Sequence, residues 1–341
     1  MNIARRIICR ASPEFGHSIR RELPGGPVGR DRRASVCKVT AIAFPALQLL
    51  ALIAAIGPAA PAQEMEARAY SRSPVGFNLF LFSYSHQNGD VLLDSALPLT
   101  DVSVSINATV AGYGRSFGLM GHQANASVAI PYVWGTVRGT VFEQQQEVTR
   151  SGPGDLRVRL MVNLIGSPAL SAREFAALKP STTLGASVSV VVPSGQYDPR
   201  RLVNIGSNRW VFKPEMGLSH PIGPWTLELI GGVWLFGDNN DFFGGSRREQ
   251  KPLASFQGHV IYTLKPRMWI AGNATYYAGG RTTIDGQLNA DLQSSSRVGV
   301  TFSYPVGTNH SLKLAWAKGV TARIGGDLNT IAVGWQYSWL K

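Results

Sequence analysis

The sequence predicts an all-β protein: a transmembrane antiparallel up-and-down β-barrel of about 12 strands, preceded by a signal peptide. Three observations predict this fold class. Bulky apolar residues alternate with small or polar ones over most of the chain, as in the last predicted strand at 328–339. Only one apolar run approaches the length of a transmembrane helix. The charged fraction is 16%, below the usual quarter, so the alternative of a water-soluble β-sandwich fits less well.

The amino-terminal region has the features of a secretory signal peptide. An apolar run at 41–56 follows Arg32, Arg33 and Lys38 and precedes the small residues at 60–62. A charged region, an apolar region and a small-residue cleavage site in this order define such a signal, with a permanent anchor helix as the alternative. We predict a signal peptide with a long n-region (1–62), a short periplasmic amino-terminal segment (63–75) and an outer-membrane β-barrel (76–341).

Cysteine content and charge exclude some functions. Both cysteines, Cys9 and Cys37, lie in the predicted leader, so the mature chain would have no disulfide and no cysteine-based metal site. Removal of the leader takes away nine Lys or Arg and three Asp or Glu, which lowers the formal net charge from +12 to +6. This modest excess gives no basis for nucleic-acid binding, which needs a clustered basic face.

Twelve segments have the length and alternation of barrel strands. They are 76–86, 101–113, 122–140, 154–165, 181–193, 209–220, 225–236, 251–264, 267–278, 296–304, 311–318 and 328–339. Tight turns (221–224, 265–267, 306–309) alternate with long polar loops (87–100, 141–153, 194–208, 237–250, 279–295). Short turns are typical of the periplasmic rim of such barrels. One connection on that side, 171–179, is predicted to form a helical turn capped by Ser171 with Glu174.

Two arginines orient the fourth segment. Arg157 and Arg159 lie on one face, and the other face is wholly aliphatic. Because an arginine facing lipid at mid-bilayer costs about 2–4 kcal/mol, this pair is predicted to face a watery lumen. By the same alternation, the second segment is predicted to turn its aliphatic side outward and its serine, asparagine and threonine side chains inward. The predicted outward residues of that segment are Val102, Val104, Ile106, Ala108 and Val110.

The polar residues on the inner faces are the candidate functional residues. They either select solutes as a ring of charges or, as the alternative, only brace and partly plug the barrel. The predicted lumen-lining residues are Arg157, Arg159, Asn163, Lys213, Glu215, Glu228, Gln257, His259, Arg297 and Lys313. Aromatic residues near the strand ends are predicted to form interfacial girdles. They are Tyr132, Trp134, Trp210, Trp225, Trp269, Tyr304, Trp316 and Trp339.

Five motifs resemble those of a known family. They are SGPGDL at 151–156, VPSGQYD at 192–198, WVFKPEMG at 210–217, QGHVIY at 257–262 and RIGGD at 323–327. In this order and spacing they resemble the bacterial outer-membrane proteins named for the meta-pathway of phenol degradation, over most of residues 74–339. The resemblance implies a barrel of about this strand number that transports aromatic or other hydrophobic compounds. It implies no particular catalytic or binding residues.

The leading hypothesis is passive transport of small, hydrophobic or aromatic molecules across the outer membrane of a bacterial cell, without enzymatic activity. Two alternatives stay open: a lumen-filled barrel that is a structural or surface-recognition protein, and a lipid-modifying barrel enzyme that uses His259. No cofactor or metal is expected, because the acidic loop at 238–241 lacks the spacing of a calcium loop. The expected partners are outer-membrane lipid and lipopolysaccharide, the barrel assembly machinery and the transported solute.

Overall fold

The computed structural model describes residues 65–92, 99–141, 144–322 and 325–341. The predicted signal peptide and both cysteines lie outside these residues. The described strands are β1 (Phe77–Leu92), β2 (Leu99–Leu119), β3 (His122–Val141), β4 (Gln144–Pro153), β5 (Leu156–Ile165), β6 (Thr183–Val192), β7 (Val211–Ile222), β8 (Trp225–Phe236), β9 (Asn239–Phe242), β10 (Ser246–Gln250), β11 (Leu253–Lys265), β12 (Met268–Gly279), β13 (Thr282–Ile284), β14 (Gln287–Leu288), β15 (Gln293–Val306), β16 (His310–Ala322) and β17 (Gly325–Leu340). A short helix, α1, covers Ala172–Ala176, and a 3₁₀ turn covers Phe243–Gly245.

Thirteen of these strands build one antiparallel sheet that closes on itself. Barrel strands pair with their neighbours in chain order, and β1 pairs with both β2 and β17, which joins the two ends of the sheet. Strands β4 and β5 share one edge of β3, since β4 pairs with residues 132–141 and β5 pairs with residues 124–129. They therefore occupy one position in the wall. The described barrel has twelve positions, which confirms the predicted strand number.

Three predicted loops contain strands: 237–250 contains β9 and β10, 279–295 contains β13 and β14, and the third contains β4. Residues 141–153, predicted as a loop, contain β4, which extends a hairpin with β3. The sequence of β4 is polar on both faces, so it lacks the alternation by which strands are recognised. Ser151 pairs with Trp134, and residues 144–150 lie beyond this aromatic position. Most of β4 therefore projects past the apolar band of the wall, where polar side chains on both faces are tolerated.

One rim of the barrel carries the tight turns, and we call it the short-turn rim. Its turns cover residues 120–121, 223–224, 266–267 and 307–309. Gly223 and Gly307 have φ of 58° and 65°, a conformation that glycine adopts without a Cβ clash. Helix α1 lies in the one long connection of this rim and has the predicted capping box between Ser171 and Glu174. No helix in the described residues is long and apolar enough to span a membrane.

The opposite rim carries long loops, and we call it the long-loop rim. Strands β9, β10, β13 and β14 form a second, four-stranded sheet there. Leu202 and Phe242 are buried together, with Phe243 and Ile284 packed against them. We call the structure formed by residues 193–210, 237–252 and 280–292 the loop cap. It has a hydrophobic core of its own.

The outer face of the barrel is apolar. On β5, the side chains of Val158, Leu160 and Leu164 are 40%, 47% and 42% exposed, whereas Arg157 and Arg159 line the interior. Strand β5 therefore has the predicted orientation, in which both arginines avoid the cost of facing lipid. A closed sheet with an exposed aliphatic face is stable in lipid, because every strand edge is paired and no backbone polar group of the wall is left to the hydrocarbon.

Strand β2 has the opposite orientation to the one predicted. Ile106, Ala108 and Val110 line the interior, and Val102 and Val104 are only 3% and 4% exposed. The serine, asparagine and threonine side chains of β2 therefore face outward. This corrects the expectation that the aliphatic side of β2 contacts lipid.

The register explains why polar side chains are tolerated outside β2. Asn107 pairs with Trp134, and Thr109 pairs with Tyr132, so these residues lie level with aromatic side chains of the neighbouring strand. Aromatic side chains in barrels mark the interface between lipid and water. The polar outward residues that precede Asn107 lie beyond that interface. They avoid the desolvation cost that orients β5.

Candidate functional site

The barrel encloses a cavity of about 860 Å³. This volume is within the usual range of pockets that bind small molecules. Its lining comes from strands around the whole barrel, from the loop cap and from residues 66–77, which precede β1 or begin it. Two sides of the cavity differ in chemistry, and each follows from the strands that form it.

Strands β1 to β3 form a mainly apolar side, to which Ser83, Gln87, Asn125 and Ser127 also contribute polar side chains. We call its apolar part the aliphatic wall. It comprises Leu79, Leu81, Ile106, Ala108, Val110, Ala129, Pro131 and Val133. From the loop cap, Ile205 packs against Ala108 and Val133 and extends this apolar surface. Neighbouring strands keep these residues together because Leu81 pairs with Gly112 and Ala108 pairs with Val133. The wall therefore offers hydrocarbon surface to a molecule in the lumen.

A second side of the cavity, which begins at β5 next to the aliphatic wall, carries charges. Glu215 of β7 accepts a hydrogen bond from Arg159 of β5 at 3.0 Å and forms an ion pair with Lys213 at 2.5 Å. The side chains of Lys213 and Glu215 are only 4% and 7% exposed. The ammonium of Lys213 also lies 5.0 Å from the ring centroid of Trp234. Removal of the Glu215 carboxylate would take this ion pair away from the buried Lys213, which is costly.

The chain before β1 contacts the charged side of the cavity. We call residues 65–76 the luminal segment. The carboxylate of Glu66 accepts a hydrogen bond from Arg159 at 2.8 Å. The backbone N–H of Arg68 donates to Glu228 at 2.7 Å, and its guanidinium donates to Thr263 at 2.8 Å. Through these bonds the luminal segment contacts three strands of the wall and narrows the lumen.

A tyrosine anchors the luminal segment. The hydroxyl of Tyr70 donates to Glu215 at 3.0 Å and lies 3.0 Å from the hydroxyl of Ser187. Its ring packs over two glycines of the wall, because a Cβ on Gly185 or Gly217 would come within 2.3 or 2.2 Å of a ring carbon. Only glycine at these two positions leaves room for the ring.

The ten predicted lumen residues all belong to the inner face, but they do not form one site. Arg157, Arg159, Lys213, Glu215, Gln257 and Lys313 line the cavity. Glu228 binds the luminal segment, as described. The other three are paired separately: Asn163 donates to Gln123 at 2.8 Å, His259 lies 2.8 Å from Asn273, and Arg297 donates to Thr330 at 2.8 Å.

One predicted girdle residue lies inside the barrel. Trp269 is 5% exposed and lines the cavity. Arg68 and Lys313 lie 5.2 and 5.4 Å from its ring centroid. The expectation that Trp269 belongs to an outer girdle is therefore wrong. Its position near a strand end is compatible with either face, and alternation with the outward residue Ile270 places it inside.

The other predicted girdle residues lie at the outer surface. Trp210, Trp225, Tyr132, Tyr304 and Trp316 are 43–49% exposed. Trp134 contacts Tyr132, and Trp339 contacts Tyr113 and Tyr337. Their role as interfacial anchors stays a prediction.

Sequence reasoning did not find the luminal segment or the aliphatic wall. Residues 67–70 form turns, with the N–H of Ala69 donating to the C=O of Glu66 at 3.0 Å, and nothing in the sequence indicates that Glu66, Arg68 and Tyr70 meet the wall. Their partners are 93 to 195 positions away along the chain. The described residues contain no group of His, Cys, Asp and Glu that could hold a metal ion.

The loop cap adds a second polar region at the long-loop rim. Arg150, Arg200 and Arg201 surround a groove of about 480 Å³ together with Asp198. Hydrogen bonds from Arg200 hold the pKa of Asp198 below its ordinary value. This groove is open to water, and its ion pairs contribute little to stability.

Comparisons with known proteins agree with this architecture. A model of the family described as "Putative MetA-pathway of phenol degradation" matches residues 83–333, most of the chain. The chain belongs to this family.

An outer membrane channel from Pseudomonas putida F1 has a TM-score of 0.70 and 21% sequence identity, over 81% of this chain and 100% of that chain. The transport unit of the autotransporter AIDA-I from Escherichia coli has a TM-score of 0.50 and 11% identity, over 86% of this chain and 99% of that chain. Comparison with curated proteins finds no match.

The location of this MetA-pathway family member follows from its surface and topology. Twelve wall positions close without a free edge in the described residues, and the outer face is aliphatic. Closed barrels of this kind are the β-structures that span the outer membrane of bacteria. The protein is therefore a bacterial outer-membrane β-barrel, as the sequence predicted.

Proposed function

We propose that the protein is a passive outer-membrane channel for small hydrophobic or aromatic molecules, and not an enzyme. The aliphatic wall is the observation that carries this proposal. A general aqueous porin has a polar interior, whereas here three neighbouring strands turn aliphatic side chains into the cavity. Contact with such a wall removes apolar solute surface from water, which favours entry of hydrophobic solutes over other small molecules.

The surroundings of the cavity are consistent with selective rather than general passage. About eight strands leave a barrel filled by side chains, and about sixteen leave an open channel, so twelve is intermediate. The luminal segment narrows the lumen from the side of the short-turn rim, which we assign to the periplasm. The loop cap then faces the outside, where lipopolysaccharide surrounds the barrel. Membrane insertion is assigned to the barrel assembly machinery.

Uptake of radiolabelled toluene by cells that carry the barrel in their outer membrane tests the proposal. The double variant Val110→Thr, Val133→Thr makes the aliphatic wall more polar at nearly constant volume, and we expect severalfold slower uptake. The matched control is Val298→Thr, Val300→Thr, which changes two lipid-facing valines and should preserve uptake. A folded barrel that passes neither toluene nor ions in a planar bilayer would refute the proposal.

The loop cap favours a second candidate, a closed barrel whose surface recognises another molecule. Its buried contacts between Leu202 and Phe242 make it a folded structure rather than a set of flexible loops. If this candidate is correct, removal of residues 237–250 should abolish binding of the recognised molecule to the cell surface and leave toluene uptake unchanged. The channel proposal expects the same deletion to change uptake. The enzyme alternative has no comparable support, because His259 faces the lumen and bonds to Asn273, away from lipid.

A further inference from the structure

We propose that the carboxylate of Glu66 occupies a binding site for the anionic group of the transported molecule. The preferred solutes are then small amphipathic carboxylates, such as aromatic acids, and a bound solute displaces Glu66 and with it the beginning of the luminal segment. This inference rests on the proposed function, since it names the solute class of the same cavity.

The charge balance of the cavity is the first argument. Seven Lys or Arg residues line it against three Asp or Glu residues. Asp155 is one of the three. Its two oxygens accept hydrogen bonds from the backbone of Gly195 and from Ser207, so its charge is bound to residues of the loop cap. The lumen therefore has an excess of positive charge, which attracts anions and repels amines.

The surroundings of Glu66 are the second argument. Its carboxylate bonds to Arg159, and the electrostatic influence on it comes from four cationic groups: Arg157, Arg159, Lys213 and Lys313. These groups belong to β5, β7 and β16, so they converge on one carboxylate from different parts of the wall. An ionised carboxylate is stabilised by cationic groups placed around it in this way.

The two carboxylates of this cluster are held very differently. Glu215 is 7% exposed and binds Arg159, Lys213 and Tyr70 at once. Glu66 is 56% exposed, and its one described side-chain bond is that to Arg159. Exchange of Glu66 for a free carboxylate would therefore replace one exposed ion pair by another of the same chemistry. Glu215 is a fixed part of the wall, and Glu66 is the exchangeable group.

The aliphatic wall completes the site. A neutral hydrocarbon can contact this wall, but it does not displace Glu66 from the cationic cluster. A small inorganic anion can bind the cationic cluster, but it does not contact the wall. Only a molecule with both an apolar body and a carboxylate uses both sides of the cavity. On the cationic side, Lys313 also lies against the ring of Trp269.

Three probes with the same ring test the charge preference. Benzoate, toluene and benzylammonium differ in one substituent, which is negative, neutral or positive. Equilibrium dialysis with the purified, folded barrel should show tightest binding of benzoate and weakest binding of benzylammonium. Glu66→Gln should raise the ratio of benzoate to toluene affinity by about tenfold, because the competing carboxylate is gone. Lys313→Gln should lower that ratio, and Lys313→Arg should restore it.

The outward-facing Lys318 of the same strand provides the control, since Lys318→Gln removes a positive charge without altering the lumen. Hydrogen exchange at residues 65–70 gives an independent readout, and benzoate but not toluene should accelerate it. Equal binding of benzoate and toluene, with no effect of Glu66→Gln, would overturn the inference. In that case toluene uptake would still support the channel, whereas loss of uptake of both solutes would refute the proposed function itself.

Discussion

Strands β2 and β5 carry nearly the same pattern and use it in opposite ways. Each has one aliphatic face and one polar face. On β5 the aliphatic face contacts lipid, and Arg157 and Arg159 point into the lumen. On β2 the aliphatic face, with Ile106 and Val110, points into the lumen, and the polar face points outward.

The difference shows which residues decide the orientation of a barrel strand. An arginine at mid-bilayer costs about 2–4 kcal/mol, so β5 has one acceptable orientation. Serine, threonine and asparagine cost much less, and on β2 they lie near or beyond the aromatic interface. The energetic penalty therefore does not fix the orientation of β2. In the observed orientation, β2 contributes apolar side chains to the lumen.

A new arginine gives the strongest test of this comparison. Leu160→Arg on β5 places a charge against lipid and should destabilise the barrel by about 2–4 kcal/mol, so that little folded protein accumulates. Val110→Arg on β2 places the same charge in the lumen and should leave a folded barrel. The heat-dependent gel shift of the purified protein measures the folded fraction. Similar losses in both variants would contradict the assigned orientation of β2.

A methyl group on the charged side should have a large effect on conductance. Gly217→Ala would place a Cβ within 2.2 Å of the Tyr70 ring, so the ring must leave its position and release the luminal segment. We expect severalfold higher ion conductance in planar bilayers. Gly272→Ala is the control, because a Cβ there has no neighbour within 4 Å. Unchanged conductance of Gly217→Ala would show that the luminal segment is held by other contacts.

The link between the two strands can be weakened at Asp155, which directly precedes β5. Its carboxylate binds the loop whose Ile205 packs on the aliphatic wall. Asp155→Ala leaves two partly buried backbone N–H groups without their acceptor and should destabilise this loop by about 1–3 kcal/mol. Hydrogen exchange of residues 193–210 measures the effect. Arg200→Ala removes an exposed side chain of the same loop and should alter exchange much less.

The smallest effect is expected on the outward face of β2. Ser105→Val should change the free energy of unfolding by less than about 0.5 kcal/mol, because Ser105 pairs with Thr136 and so lies beyond the aromatic interface. Urea unfolding in detergent micelles provides the measurement. A large stabilisation would indicate that this part of β2 is in contact with lipid hydrocarbon.

Most of the fold was predictable because period-two alternation is a local property. The twelve wall positions, the tight turns and the capped helix at Ser171 all follow from residues close together in the sequence. The inward orientation of Arg159 follows from a large energetic penalty. Strand β4 was missed because it projects past the apolar band and so carries no alternation.

The site was predictable only in part. Single polar residues such as Lys213 and Gln257 could be assigned to the interior, but their partners could not. Glu66 meets Arg159 across 93 positions, and Arg68 meets Thr263 across 195. Such contacts depend on closure of the barrel and leave no local signal. The aliphatic wall was missed because small polar side chains do not fix which face of a strand meets lipid.

The seam between β1 and β17 has a consequence for biosynthesis. It joins Phe77 to Leu340 and continues to Leu92 and Gly325, so the first and last strands of the barrel meet along their whole length. Until the last strand pairs with the first, the sheet has two open edges that can recruit strands from other chains. A chain that ends before Gly325 therefore lacks the strand that closes this seam and keeps two exposed edges.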